Sequence, residues 1–172
     1  MTKTFKLVAS SVLVALGVLL PMAFHMVGAA GSIFLPMHIP ALLAGFLLGP
    51  YCGFCVGLLS PLISGLSTGM PPIPVLPIMA VELSVYGAIG GWLYRNRQLS
   101  IWLSLITAMT AGRLAAASGA FALVELFGAK INPLVFITGA VLTGLPGITA
   151  QLMLVPLLVR RLAATFRISS MS

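Results

Sequence analysis

The sequence predicts an all-α integral membrane protein, a compact bundle of six transmembrane helices with both termini cytoplasmic. Three observations carry this. Of 172 residues only nine are Lys or Arg and two are Asp or Glu, and 60% are hydrophobic, whereas about a quarter of a soluble domain is charged. The mean hydropathy is +1.17, which suits lipid rather than water. The apolar segments run continuously instead of alternating, which excludes a transmembrane β-barrel. At about 20 residues per span plus short turns, the chain holds about six crossings and no extramembrane domain. Residues 1–172 therefore form a single membrane domain. A soluble enzyme, a disordered tail and a disulfide scaffold are all excluded.

The first span runs from Leu7 to about Val27, behind Lys3 and Lys6. Gly28-Ala29-Ala30 would suit signal-peptide cleavage, but the run is long enough to cross and the rest of the chain is equally apolar. A second, short helix covers Ile39 to Leu48 and stops at Gly49-Pro50. Proline is comfortable at a helix start and not in its interior. A tight turn there thus opens a third helix from Pro50 to about Ser67. Thr68-Gly69-Met70-Pro71-Pro72-Ile73-Pro74, with its prolines, is a loop. The fourth helix spans Val75 to Tyr94, the fifth Ile101 to about Phe127 and the sixth Pro133 to about Val159.

Charge distribution tests that count. Six spans place Lys3, Lys6, Arg95, Arg97, Arg160, Arg161 and Arg167 on one side, against Lys130 alone on the other. The positive-inside rule makes the basic side cytoplasmic. The net charge of +7 reports topology. A nucleic-acid partner would need a solvated basic domain, and there is none. Glycines four apart recur at Gly45/Gly49, Gly53/Gly57, Gly65/Gly69 and Gly87/Gly91. Such pairs let helix backbones approach closely in lipid.

Two motifs tempt. Gly65-Leu66-Ser67-Thr68-Gly69 matches a nucleophile elbow, with His25 and His38 as conceivable bases. That motif has meaning only between a strand and a helix, and here it ends a span. Cys52-Gly53-Phe54-Cys55 is a lone cysteine pair without further ligands, read as packing rather than metal binding. None of Lys3, Lys6 and Lys130 directly follows a glycine, so there is no P-loop lysine to cradle phosphates. Neither a resident cofactor nor a metal is expected. If this chain moves a solute uphill, the energy comes from elsewhere.

Polar groups within spans are costly and mark functional sites. Glu82 lies two turns into the fourth helix, and Tyr86 falls one turn deeper on the same face. Arg113 is central in the fifth helix and Glu125 sits near its outer end, with Lys130 and Asn132 beyond. Gln151 lies in the inner half of the sixth. Arg113 is expected to pair with Glu82 or Glu125, either to hold helices together or to line an outward cavity for a polar solute. His25 and His38 could reach that cavity from above. The segments Phe34–Pro40 and Gly69–Pro77 are proline-stiffened and would cover it like lids.

These features together resemble the S component of an energy-coupling factor (ECF) transporter. The likeness rests on Phe34-Leu35-Pro36-Met37-His38-Ile39-Pro40 leading into the short helix to Pro50. It rests too on Leu59-Ser60-Pro61-Leu62 through Thr68-Gly69-Met70-Pro71-Pro72, and on Glu82-Leu83-Ser84-Val85-Tyr86-Gly87. The resemblance implies a non-enzymatic, multi-pass subunit of the bacterial cell membrane that captures a vitamin or precursor in an outward cavity. Loops between helices one and two and between three and four would close it. The subunit would then rotate to deliver its cargo, driven by a separate transmembrane coupling protein and two cytoplasmic ATPases. Docking would use small residues four apart on the first helix, here Ser11 and Ala15. The M-H-I-P and G-M-P-P segments are similar to the branch for dimethylbenzimidazole or its riboside, with pantothenate, pyridoxine-type and folate ligands as alternatives. An acidic vitamin would use Arg113 or Lys130 as counter-charge, whereas a neutral aromatic one would use Glu82, Tyr86 and the histidines. Two rival readings remain: a self-sufficient channel or secondary transporter, and an intramembrane serine hydrolase using Ser67.

Overall fold

The computed structural model describes residues 1–25, 34–128 and 132–169, where the regular elements are helical. Among those residues the helices are α1 (Lys3–His25), α2 (His38–Leu48), α3 (Pro50–Thr68), α4 (Leu76–Gly91), α5 (Ile101–Phe127), α6 (Pro133–Thr143) and α7 (Leu145–Ser169). A π-helical turn over Trp92–Asn96 prolongs α4. Helices α1, α3, α4 with its extension, α5 and α7 supply five segments long and apolar enough to cross a membrane. The chain is thus a multi-pass membrane protein. Helices α2 and α6 have 11 residues each. At 1.5 Å per residue they reach about 16 Å, roughly half of a hydrocarbon core of about 30 Å.

The sixth apolar run, expected as one helix from Pro133 to about Val159, is divided. The Gly144 amide closes α6 on the Ala140 carbonyl at 3.2 Å, and the Gly144 carbonyl then accepts the Ile148 amide at 2.8 Å. Pro146, lacking an N–H, falls in the first turn of α7, where none is required. The expected break between α2 and α3 is present. Gly49 adopts φ 114, a conformation closed to residues with a Cβ, and Pro50 opens α3.

Helix α2 is buried almost throughout, packed among α1, α3, α4 and α7. Its Leu42, Leu43, Phe46 and Leu47 join Leu105, Ala108, Val155 and Val159 in the main apolar core. The Arg95 guanidinium donates to the Leu47 carbonyl and so ties the π turn to the end of α2, where a cation also meets the negative end of the helix dipole. Outside, the pattern of a soluble protein is inverted. Leu7, Val8, Val12 and Leu19 on α1 and Met153 on α7 are exposed, as lipid contact requires.

Glycines set the spacing of the centre. A Cβ on Gly53 would fall 2.7 Å from the Gly45 Cα and on the Gly87 carbonyl, and a Cβ on Gly57 would strike Leu83. Helices α2, α3 and α4 thus meet backbone to backbone, as helices associating in lipid do. The four-apart pairs are only partly packing devices. Gly49 and Gly69 have open space where a side chain would stand and serve instead through positive φ.

Gly87→Ala should therefore cost about 1–3 kcal/mol through overpacking, read as a lowered Tm in detergent. Gly119→Ala, where a Cβ meets nothing within 4 Å, should be neutral or gain about 0.5–1 kcal/mol of helix stability.

Candidate functional site

At one end of the bundle the loops before α2 and before α4 cover a cavity of about 270 Å³. That size is just below the usual range for small-molecule sites, about 300–1,000 Å³. Leu35, Pro36 and Met37 form part of the cover, and Met70, Pro71 and Pro72 form the rest. Helices α1, α4, α5 and α6 supply the walls through Pro21, Met79, Ala116 and Ala140. Hydroxyls fasten the second cover: Ser64 Oγ donates to the Met70 carbonyl at 2.7 Å, and Thr68 Oγ1 accepts the Met70 amide at 3.2 Å. Gly69 makes the turn possible with φ 73. In the first cover Leu35 holds φ 50, an uncommon conformation for a side chain of that size, and its carbonyl accepts the His38 amide at 3.1 Å.

Three ionisable side chains meet in this largely apolar chamber. Glu82 Oε1 lies 3.1 Å from Arg113 Nη1 and 3.6 Å from His38 Nε2. All three residues line the cavity. The Glu82 and His38 side chains are 5% and 1% exposed, and Arg113 is 20% exposed, so the cation has the freest access to the space. Tyr86 is fully buried, one turn along α4 from Glu82, with its ring edge-on to His38 at 5.2 Å. Gly112 leaves room for that ring, because a Cβ there would occupy it.

The charges are paired but their hydrogen bonds are not completed. Both His38 ring nitrogens, Glu82 Oε1, and Arg113 Nε and Nη2 lack hydrogen-bond partners. The Arg113–Glu82 contact is therefore close in distance yet out of hydrogen-bond alignment. Buried polar atoms are nearly always satisfied in folded proteins. A cluster of unsatisfied buried atoms beside a cavity makes this end of it the candidate site.

Of the sequence candidates, His38, Glu82, Tyr86 and Arg113 come together, and Arg113 pairs with Glu82 rather than Glu125. Glu125 is exposed on the last turns of α5, twelve positions and about 18 Å along the helix from Arg113. Asn132 is placed as a helix cap, its Oδ1 accepting the Leu134 and Val135 amides at 3.1 and 3.3 Å. Lys130 and the side chain of His25 lie outside the described residues. Gln151 is fully buried on α7 and absent from the cavity wall. Ser11 and Ala15 are exposed on α1, and the Ser11 hydroxyl donates to the Leu7 carbonyl at 3.0 Å.

The tempting motifs find no support. Ser67 sits in the last turns of α3 with its hydroxyl donating to the Ile63 carbonyl at 2.7 Å. Cys52 and Cys55 are free thiols, and no group of three potential metal ligands occurs among the described residues. Sequence reasoning missed the methionines Met37, Met70 and Met79, the small wall residues Ala116 and Ala117, and Thr143. Two of those methionines stand beside the prolines of the covers. That adjacency was a usable signal, because soft, flexible side chains suit irregular binding surfaces.

No curated protein and no solved structure matches the chain. A family model does. The model described as the substrate-specific component of the ECF transporter matches residues 5–159, nearly the whole chain, and the protein belongs to that family.

Proposed function

We propose that the protein captures a vitamin or vitamin precursor at the outer face of the bacterial cytoplasmic membrane and hands it to a coupling protein energised by two cytoplasmic ATPases. Family membership makes it the substrate-specific component. The observation that carries the reading is the covered cavity with its open polar atoms on His38, Glu82 and Arg113. Charge distribution supports the orientation: the covers lie at the end opposite Arg95, Arg97, Arg160 and Arg161, which the positive-inside rule makes cytoplasmic. Exposed Trp92 and Trp102 fall near that basic end, as expected of residues at a membrane interface. In this topology six passages place both termini inside, with the divided α6–α7 pair forming the last. Dimethylbenzimidazole or its riboside is the leading ligand, and another B vitamin such as pantothenate is the alternative.

The exposed Ser11–Ala15 face of α1 is the proposed seat of the coupling protein. Small side chains there permit a close helix-to-helix approach. Replacing both by leucine should abolish uptake while leaving ligand affinity unchanged, as measured by calorimetry on the purified chain alongside transport in cells.

Capture and drive should separate in reconstitution. The chain alone in proteoliposomes should bind ligand but accumulate none, and added coupling protein and ATPases with ATP should start uptake. Ion-driven accumulation by the chain alone would overturn the proposal. Arg113→Lys keeps the charge and loses the planar fork. It should weaken binding about 10- to 100-fold, the value of a hydrogen bond to a charged group, with expression unchanged. Equal losses of binding and expression would mark Arg113 as a structural pairing residue.

A further inference from the structure

The second cover has the composition of a membrane span rather than of a loop in water. Across residues 69–81 the chain carries no charged, hydroxyl or amide side chain. At the other end of α4 the loop reads Arg95-Asn96-Arg97-Gln98, and the connection after α5 is flanked by Glu125 and Asn132. Charged and amide side chains of that kind are the usual surface of a solvated segment. The cover instead turns apolar groups outward. Leu66, near the end of α3, and Ile73, in the loop, are 87% and 85% exposed, and Met70, Pro72 and Pro74 are exposed too. An apolar patch of this kind marks a contact surface. The same segment lines the cavity through Pro71 and Val75.

The backbone suits a poorly hydrated setting. Of the eight residues 69–76, three are prolines without an N–H. The Gly69 amide donates to the Gly65 carbonyl at 3.0 Å, and the Val75 and Leu76 amides both donate to the Pro72 carbonyl at 2.9 Å. Thr68 Oγ1 accepts the Met70 amide, which leaves Ile73 with the segment's one open amide among the described residues. Nearby hydroxyls also turn back on the chain, Ser64 Oγ to the Met70 carbonyl and Ser67 Oγ to the Ile63 carbonyl. Irregular backbone is excluded from lipid when its polar groups are open, and here few are.

Depth agrees. Trp92 and Tyr51 are exposed at the basic end, and Arg97 lies over the Trp92 ring at 4.8 Å, an arrangement suited to the headgroup level. Trp92 is 16 positions from Leu76, and Tyr51 is 17 from Thr68. At 1.5 Å each these lengths are about 24 and 26 Å, and tilt only shortens them. A hydrocarbon core is about 30 Å thick, so neither helix carries the loop clear of the far boundary.

We infer that the second cover beds in the membrane, with Ile73 seated at the boundary between headgroups and acyl chains and lipid as its partner. The orientation proposed above makes this the outer leaflet. The chamber is then closed by a flap held in lipid, and lifting the flap withdraws Ile73 from its seat. The contact requires no solute, so its test is independent of the capture role.

A tryptophan placed in the loop reports its surroundings. In the full chain carrying Trp92→Phe and Trp102→Phe, Ile73→Trp supplies a lone emitter. The protein is reconstituted in nanodiscs of phosphatidylcholine that is unbrominated, brominated high on the acyl chain, or brominated near the chain's methyl end. Iodide probes access from water. Bromine high on the chain should quench the emission about twofold or more, as for an apolar group set about 5–10 Å into the interface. Chain-end bromine and iodide should each quench less. Stronger quenching by iodide puts the cover in water and overturns the inference. Stronger quenching by chain-end bromine overturns it as well, as does the absence of quenching by all three, which would mean that protein, such as a second copy of the chain, covers the patch. If Ile73→Trp does not fold, the same ranking at the neighbouring exposed position, with Pro74→Trp, decides the matter.

Discussion

The contact between α3 and α4 at Gly53 and Gly87 is the constraint on which the remaining geometry depends. In lipid there is no hydrophobic drive to press helices together, so close packing must supply the attraction. With no side chains between them the two backbones touch, and the half-length α2 is drawn in through Gly45. That contact fixes the height and rotation of α4. One turn N-terminal to Gly87 the same helix presents Leu83 against Gly57, and Glu82 beside it points into the cavity. The position of the carboxylate follows from glycines that never touch a ligand.

The ionic cluster is incomplete as a stabilising contact. A buried ion pair is weak support for stability unless its remaining donors and acceptors are satisfied, because desolvation offsets the attraction. Here Arg113 Nε and Nη2 and Glu82 Oε1 are left open. Tyr86, seated in the gap left by Gly112, packs its ring against His38. A site already arranged to receive a ligand loses less entropy on binding than one that must assemble first. The stiff covers contribute in the same way, since their prolines and the hydroxyls of Ser64 and Thr68 limit the conformations available to them.

Much of this was legible in the residues. Gly49-Pro50 announced the end of the short α2, the proline clusters announced the covers, and the scarcity of charge narrowed the partner of Arg113 to Glu82 or Glu125. What escaped did so for physical reasons. The break at Gly144 is embedded in a continuous apolar run, and hydropathy does not register an interruption that leaves composition unchanged. Asn132-Pro133 carries a helix-start signature, a capping side chain followed by proline, but a polar residue beside a span also suggests a ligand contact. The four-apart glycines mixed two properties that spacing cannot separate: absence of a side chain at Gly53 and Gly87, and backbone freedom at Gly49 and Gly69. Met37 and Met70 stood beside the cover prolines, but Met79 carried no such mark, because an apolar residue in a membrane protein attracts no notice.

The break between α6 and α7 bears on the chamber in one further respect. A Cβ on Gly144 would lie 2.7 Å from the Ala140 carbonyl and 3.4 Å from Arg113 Nη2. The guanidinium therefore rests against a vacancy belonging to the joint between two rods, not against a side chain of either. The same joint also abuts the cover, since that Cβ would lie 3.0 Å from Leu35 Cδ1. Any residue larger than glycine at that joint would have to displace the Ala140 carbonyl or the Leu35 end of the cover, so exchange there can only tighten the surroundings of the cation.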